Sequence, residues 1–295
     1  MAEFHSGFVA LVGRPNVGKS TLVNRVLGQK VSITSSRPQT TRHRIAGVHN
    51  GPGFQLVLLD IPGFQKPRDT LTQRMQSLVD ETLRDVDAVL FLLNGAETIG
   101  RGDRFIAEVL SRVKTPVLAA VNKADLLSPE RAAVQLETAR ALGEFRSVHL
   151  VSALDGAGLD GLVAELAALL PEGPEYFPAG VITDQPEELL AAEFIREKVI
   201  ALTAEEVPHA VAVEVLEFGA RPGRGLVDIR AAIYVERESQ KPIVLGEAGA
   251  RIKRIGVEAR REIERLLGTQ VFLELVVKVR RRWRDNPGLL DNLGL

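Results

Sequence analysis

Eight consecutive residues near the N-terminus, Gly13-Arg14-Pro15-Asn16-Val17-Gly18-Lys19-Ser20, have the spacing G-x-x-x-x-G-K-S. The chemistry open to such a run is phosphate binding. Glycines let the main chain wrap closely around an anion, and successive N–H groups ending at a helix N-terminus supply positive potential. Lys19 is placed to reach the β- and γ-phosphates of a nucleotide, and the Ser20 hydroxyl to bind Mg²⁺. Val17 and Thr21 belong to the same cradle.

Two further runs select the base. In Asn122-Lys123-Ala124-Asp125, an N-K-x-D motif, the Asp125 carboxylate can accept hydrogen bonds from both the N1–H and the 2-amino group of guanine. Adenine offers no such donor pair. Ser152-Ala153-Leu154 fits the S-A-[KL] pattern, whose main-chain N–H meets guanine O6. Asp60-Ile61-Pro62-Gly63 fits D-x-x-G: Asp60 is expected to hold Mg²⁺ through water, and the Gly63 N–H to meet the γ-phosphate and release it after hydrolysis. The polar run Arg37-Pro38-Gln39-Thr40-Thr41-Arg42 reads as a switch loop, and one of its threonines must complete the Mg²⁺ sphere. By analogy with other GTPases that is Thr41 rather than Thr40. The substrate and product implied are GTP and GDP.

The residue after Gly63 is Phe64, where Ras-like enzymes carry a glutamine that orients the attacking water. Phenylalanine cannot hydrogen-bond that water, and Gln65 stands one position out of register. Intrinsic hydrolysis is therefore expected to be slow, or helped by another charge. GTPases with asparagine at the position of Asn16 and an apolar residue after D-x-x-G often bind K⁺ beside the phosphates. With Lys19, Thr41 and Gly63, Asn16 completes the candidate catalytic set.

These motifs need elements to hold them. Short apolar runs at Phe8–Val12, Gln55–Leu59, Ala88–Leu93, Val117–Val121 and Val148–Val151 alternate with helical patterns at Lys19–Leu27 and near residues 71–84, 104–112, 130–142 and 159–170. Buried strands alternating with helices make an α/β domain with a mostly parallel sheet covered on both faces. The alternation stops at Pro171-Glu172-Gly173-Pro174, so residues 1–174 are expected to be one domain and 175–186 a linker. From residue 187 the order is helix, two strands, helix, strand, an α+β arrangement.

Composition bounds the rest. The 295 residues contain no cysteine, which excludes disulfides, zinc–thiolate sites and thiol nucleophiles. No apolar run is long enough to span a bilayer, and no secretory signal opens the chain. The net charge of −1 conceals an asymmetry: residues 241–284 hold twelve Lys/Arg and five Asp/Glu, a balance of +7, leaving −8 elsewhere. A basic segment on an acidic chain points to a polyanionic partner or to a solvated helix face.

That segment includes Gly246-Glu247-Ala248-Gly249, a G-x-x-G loop after an apolar stretch and before a basic helix with Arg251, Lys253 and Arg254. Loops of this kind in KH domains clamp the backbone of single-stranded RNA. The motifs above, with Phe194-Ile195-Arg196-Glu197-Lys198 and Val235–Lys241, resemble the Era family of bacterial GTPases over nearly the whole chain. The resemblance implies a GTPase domain joined to a type II KH domain (residues 187–295), and a cytoplasmic factor for small ribosomal subunit assembly. It implies binding near the 3′ end of the small-subunit rRNA, a monomer, and peripheral contact with the cell membrane. One departure stands out: the family commonly has a lysine between the two glycines, and here the pair is Glu247-Ala248. The Glu247 carboxylate either opposes the RNA phosphate or stabilises the start of the following helix. Two other classes remain open: a GTPase of the tRNA-modification or iron-transport type, and an RNA-binding module whose nucleotide domain does not turn over.

Overall fold

A computed structural model describes the chain except Met1, Ala2, Ser36, Pro38, Gln39, Glu205, Pro222 and Arg224. Pro38 and Gln39 of the expected switch loop thus lie outside the described residues, as do two residues of the turn at 221–225. The chain forms two compact units: Met1–Ser32, Thr41–Pro67 and Arg74–Asp184; and Ile33–Thr40, Arg68–Gln73 and Gln185–Leu295.

The first unit is built on strands β1 (His5–Val12), β2 (Ile45–Gly51), β3 (Phe54–Asp60), β4 (Ala88–Asn94), β5 (Val117–Asn122) and β6 (Val148–Leu150), in the order β2-β3-β1-β4-β5-β6. Helices α1 (Lys19–Leu27), α2 (Thr70–Thr82), α3 (Arg101–Leu110), α4 (Pro129–Arg140) and α5 (Leu159–Ala167) alternate with them. All pairings are parallel except β2 with β3. Successive strand residues enter opposite cores: Val9, Leu11, Leu56, Leu58, Leu90 and Leu92 face one, while Ala10, Val12, Val57, Leu59, Val89 and Phe91 face the other. Both faces are therefore covered, as continuous apolar strands require. Strand β2 has no counterpart in the sequence reading. Its run Ile-Ala-Gly-Val-His-Asn-Gly is short and broken by small and polar residues, and it forms as an antiparallel partner of the strongly apolar β3.

Residues 176–182, expected to be a linker, are fastened instead to β2 and β3. Gln55 Oε1 accepts the N–H groups of Tyr176 and Phe177 (2.8 and 3.0 Å), and the Val48 N–H donates to the Ile182 carbonyl (2.9 Å).

The second unit contains α6 (Glu187–Leu202), α7 (Val207–Ala210), β7 (Ala212–Arg221), β8 (Leu226–Val235), α8 (Gln240–Leu245), α9 (Ala250–Leu267), β9 (Gln270–Val279) and α10 (Pro287–Asn292). The sheet order is β7-β8-β9, with β7 antiparallel and β9 parallel to β8. A parallel return needs a crossover, and α8 with α9 provides it. The apolar stretch before the G-x-x-G loop is thus a helix of its own, and the loop joins two helices. Ile195, Val199, Ile233, Ile255, Ala259 and Ile263 build its core. Two segments distant in sequence cluster with this unit. The Thr34 N–H donates to Glu197 Oε1 (2.8 Å), Arg196 donates to the Thr40 carbonyl, and the Thr70 N–H donates to Asp285 Oδ1 (3.1 Å).

Candidate functional site

The carboxyl ends of β1, β3 and β5 deliver Gly13, Asp60 and Asn122, so the phosphate loop, D-x-x-G and N-K-x-D all follow mutually parallel strands on the same side of the sheet. That is where open α/β sheets bind ligands. Lys19 opens α1 and is buried; its Nζ lies 3.4 Å from the carbonyls of Gly13 and Arg14. Ser20 Oγ donates to Asp60 Oδ2 (2.6 Å) and stands 3.2 Å from Thr41 Oγ1, which is itself 3.5 Å from Asp60 Oδ2. The Thr40 hydroxyl is turned elsewhere, to the Arg37 carbonyl (2.7 Å).

Burial pushes the Asp60 carboxyl up and the Lys19 ammonium down, and the attraction between them opposes both shifts. Among the described residues, neither the buried Asp60 Oδ1 nor the buried Ser32 hydroxyl has a hydrogen-bond partner. Buried polar groups are normally paired. A set of hard oxygen donors with unspent capacity beside a buried cation suits Mg²⁺ and phosphate, so the residues fit the groups that the motifs imply.

At Gly18 the backbone has φ +102°, and a Cβ there would stand 2.2 Å from Asn122 Nδ2. Only glycine allows this approach. Through it Asn122 Nδ2 donates to the Val17 carbonyl (2.8 Å), while Asn122 Oδ1 accepts the Ala153 N–H (2.9 Å). Asn122 therefore ties the phosphate loop to the base-binding loop with both ends of its amide. The Ala153 N–H, a candidate donor to guanine O6, is already engaged by that amide. Asp125 is exposed, and the buried Ser152 hydroxyl donates to its Oδ1 (2.7 Å). Lys123, between Asn122 and Asp125, adopts a left-handed conformation (φ 67°). Leu154 is 71% exposed.

Past Gly63, Phe64 turns into the core and meets Phe105 edge-on, with ring centroids 6.5 Å apart. Gln65 Nε2 points at Met75 Sδ (3.6 Å). Asn16 adopts φ 65° within the loop.

In the second unit the G-x-x-G loop is a tight turn: Gly246, Ala248 and Gly249 all have positive φ, and the Gly249 N–H donates to the Gly246 carbonyl (3.2 Å). Glu247 is exposed, and no side chain caps the start of α9, so the helix-capping role considered for Glu247 has no hydrogen bond behind it. Arg251 folds back onto the Ile243 carbonyl and Arg254 pairs with Glu258 (2.7 Å), while Lys253 is exposed. Beside the loop, α9 and β9 enclose a groove of about 360 Å³ lined by Ile252, Lys253, Gly256, Arg260, Phe272 and Leu275 among others. Phe272 is 52% exposed, with the Arg221 guanidinium 5.4 Å from its ring centroid. An aromatic platform between cations is what single-stranded nucleic acid binders use. Sequence reasoning missed Phe272 and Arg260. The available signal was strand alternation, which sets Phe272, Glu274 and Lys278 apart from the inward Val271 and Val277.

Family models match the chain in both units: "50S ribosome-binding GTPase" over residues 8–123 and "KH domain" over residues 206–284. The chain is 46% identical over 292 residues to GTPase Era of Alkaliphilus metalliredigens (strain QYMF), and 45% identical over 291 residues to GTPase Era of Alkaliphilus oremlandii (strain OhILAs). In each case 99% of both chains is covered. Among solved structures it is similar to Era in complex with MgGDPNP and nucleotides 1506-1542 of 16S ribosomal RNA (TM-score 0.94, 41% identity, 99% of both chains). It is equally similar to Aquifex aeolicus Era bound to GDP·AlF4⁻ (TM-score 0.94, 40% identity, 99% of both chains). Likeness running end to end, through a nucleotide unit and a KH unit in the same order, separates this chain from other P-loop proteins: it belongs to the Era family of GTPases.

Proposed function

We propose that this chain uses GTP binding and hydrolysis to control its hold on single-stranded RNA near the 3′ end of the small-subunit rRNA, and so acts in assembly of the small ribosomal subunit. The observation that carries the reading is the groove between α9 and β9, in a fold that matches, over 99% of its length, an Era structure holding a 16S rRNA segment. RNA contacts fall to Gly246, Glu247, Ala248, Gly249, Arg251, Lys253 and Arg254, with Phe272 as a stacking surface. The protein acts as a cytoplasmic monomer; no helix among the described residues is long and apolar enough to cross a membrane.

In the nucleotide site, Ser20, Thr41 and Asp60 would hold Mg²⁺. The ion, when bound, offsets charge on the β- and γ-phosphate oxygens. Lys19 supplies the fixed cation, the loop N–H groups cradle the phosphates, Gly63 meets the γ-phosphate, and Asp125 reads the base. The Thr41 hydroxyl, at 3.2 and 3.5 Å from its two partners, favours Thr41 over Thr40 as the second hydroxyl ligand. Asn16 is the candidate K⁺ ligand.

Hydrolysis is expected to proceed without a side chain at position 64 that orients water. Phe64→Ala should change kcat by roughly tenfold or less, since no polar contact to the reacting atoms is removed. Under single-turnover conditions the parent protein should hydrolyse GTP faster in K⁺ than in Na⁺; equal rates would remove Asn16 from the catalytic set.

RNA affinity should fall steeply with salt, because cations replace condensed counterions. Phe272→Ala is expected to weaken a single-stranded rRNA 3′-end fragment by roughly 1–3 kcal/mol, the range for one lost base stack. Fluorescence anisotropy measures this, and an unchanged Kd would remove Phe272 from the interface. Glu247→Lys takes a carboxylate away from the phosphate path, and should tighten the same fragment up to about fivefold at low salt, the upper range for surface charge pairs. A fully paired RNA that competes as well as the single strand would contradict the groove assignment.

A further inference from the structure

The geometry points to Arg14 as a positioning residue for GTP hydrolysis: its side chain anchors the phosphate loop to the start of α3. The G-x-x-x-x-G-K-S pattern asks nothing of this position. Yet Arg14 Nε donates to Asp103 Oδ1 (2.9 Å) and Arg14 Nη2 to Glu97 Oε2 (3.0 Å). Asp103 is 1% exposed, and its other oxygen accepts the Gly100 N–H at the N-terminus of α3 (2.9 Å). Glu97 is fixed in turn: its Oε1 accepts from Asn94 Nδ2 (2.7 Å) and its carbonyl from Gln135 Nε2 (2.8 Å). Gly102 leaves room for the Arg14 stem, since a Cβ there would stand 2.7 Å from Arg14 Cδ. The guanidinium is thus held by the buried Asp103 carboxylate, through a charge-assisted bond of the strong kind, and by the exposed Glu97 carboxylate, whose attraction solvent screens.

Two features connect the anchor with chemistry rather than with stability alone. The Arg14 carbonyl is one of the two main-chain oxygens 3.4 Å from Lys19 Nζ, so a shift of Arg14 moves the oxygens that orient the phosphate-binding ammonium. Helix α3 also carries Phe105, which meets Phe64, the residue after Gly63. A Cβ on Gly63 would stand 3.1 Å from the nitrogen of Pro15, the loop residue after Arg14. The loop, α3 and the D-x-x-G turn therefore meet at this point. Asn122 braces the loop at Val17, and Arg14 is the corresponding strut on the other side. Phosphoryl transfer depends on positioning and preorganised charge, so a loosened loop should be felt in the chemical step.

The inference rests on GTP turnover at this site. The test is single-turnover and steady-state GTP hydrolysis, with melting temperature, on full-length parent, Arg14→Ala, Arg14→Lys, Glu97→Gln and the Arg14→Ala/Glu97→Gln double variant. We expect Arg14→Ala to lower kcat roughly 10–100-fold, the scale of a misplacement near 1 Å, with KM changed less than about threefold because the base contacts are intact. Arg14→Lys, which keeps the charge but not the two-pronged geometry, should recover part of the loss. Combining Arg14→Ala with Glu97→Gln should add little to Arg14→Ala alone, since both act on one contact. A folded Arg14→Ala protein with parental kcat, whatever its melting temperature, overturns the assignment. If Arg14→Ala does not fold, Arg14→Lys decides: kcat down at least threefold supports the anchor, and parental kcat overturns it. A parent protein that does not hydrolyse GTP overturns the turnover reading on which the assignment rests, and the assignment with it.

Discussion

Asp125→Asn should turn a GTP site into one that prefers xanthosine triphosphate. Asp125 is exposed at the end of β5 with one oxygen fixed by the Ser152 hydroxyl at 2.7 Å. Guanine offers N1–H and the 2-amino group as donors, and a carboxylate accepts both. An amide in its place keeps one acceptor and presents an N–H₂ where the 2-amino group arrives. A hydrogen bond to a charged group contributes about 1.5–3 kcal/mol, and a donor left unpaired against another donor costs about 1–3 kcal/mol more, so GTP should weaken by roughly 3–6 kcal/mol, about 10²–10⁴-fold in Kd. Xanthine carries a carbonyl at that position and is suited to the new donor. Competition binding of GTP and XTP against a fluorescent nucleotide measures the switch. A variant that still prefers GTP would place base recognition elsewhere.

Lys19→Ala should be the most damaging substitution for turnover. The ammonium is buried at the start of α1, and in the protein alone its nearest acceptors are two carbonyls at 3.4 Å. Removing one preorganised group that stabilises transition-state charge costs on the order of 10²–10³ in kcat. A second loss follows from Asp60. Its carboxyl is already pushed up by burial, and Lys19 is what pulls it back. Without Lys19 the carboxyl shifts further up, and only its deprotonated form holds a cation, so Mg²⁺ binding by the variant should weaken as pH falls. Single-turnover hydrolysis at several pH values and Mg²⁺ concentrations checks both effects. A rate within tenfold of the parent would show that the phosphate charge is met by another group.

Why some of this could be read from the chain and some could not follows from the range of the interactions. The phosphate loop, Asp60–Gly63 and Asn122–Asp125 are contiguous because each wraps one turn of backbone around one part of a nucleotide. Helix α1 has its expected bounds, set by local periodicity and flanking glycines. Strand β2 exists only because β3 pairs with it. The Asn122 amide joins Val17 to Ala153, residues 105 and 31 positions away. The partners of Arg14 stand 83 and 89 positions along the chain, where no local pattern reaches. The α9–β9 groove depends on the parallel register that sets Val271 opposite Val227, a long-range pairing. Segments 33–40 and 68–73 cluster with residues beyond 184, which no linear boundary can express.

The most direct test of the central claim is single-turnover hydrolysis of GTP and of ATP by the full-length protein, with and without Mg²⁺. The site described here predicts that GTP is converted to GDP and phosphate only when Mg²⁺ is present, that ATP at the same concentration is left intact, and that Lys19→Ala slows GTP conversion on the order of 10²–10³-fold. Equal turnover of ATP and GTP, or turnover that survives removal of Mg²⁺, would contradict the assignment of Asp125 to the base and of Ser20, Thr41 and Asp60 to the metal.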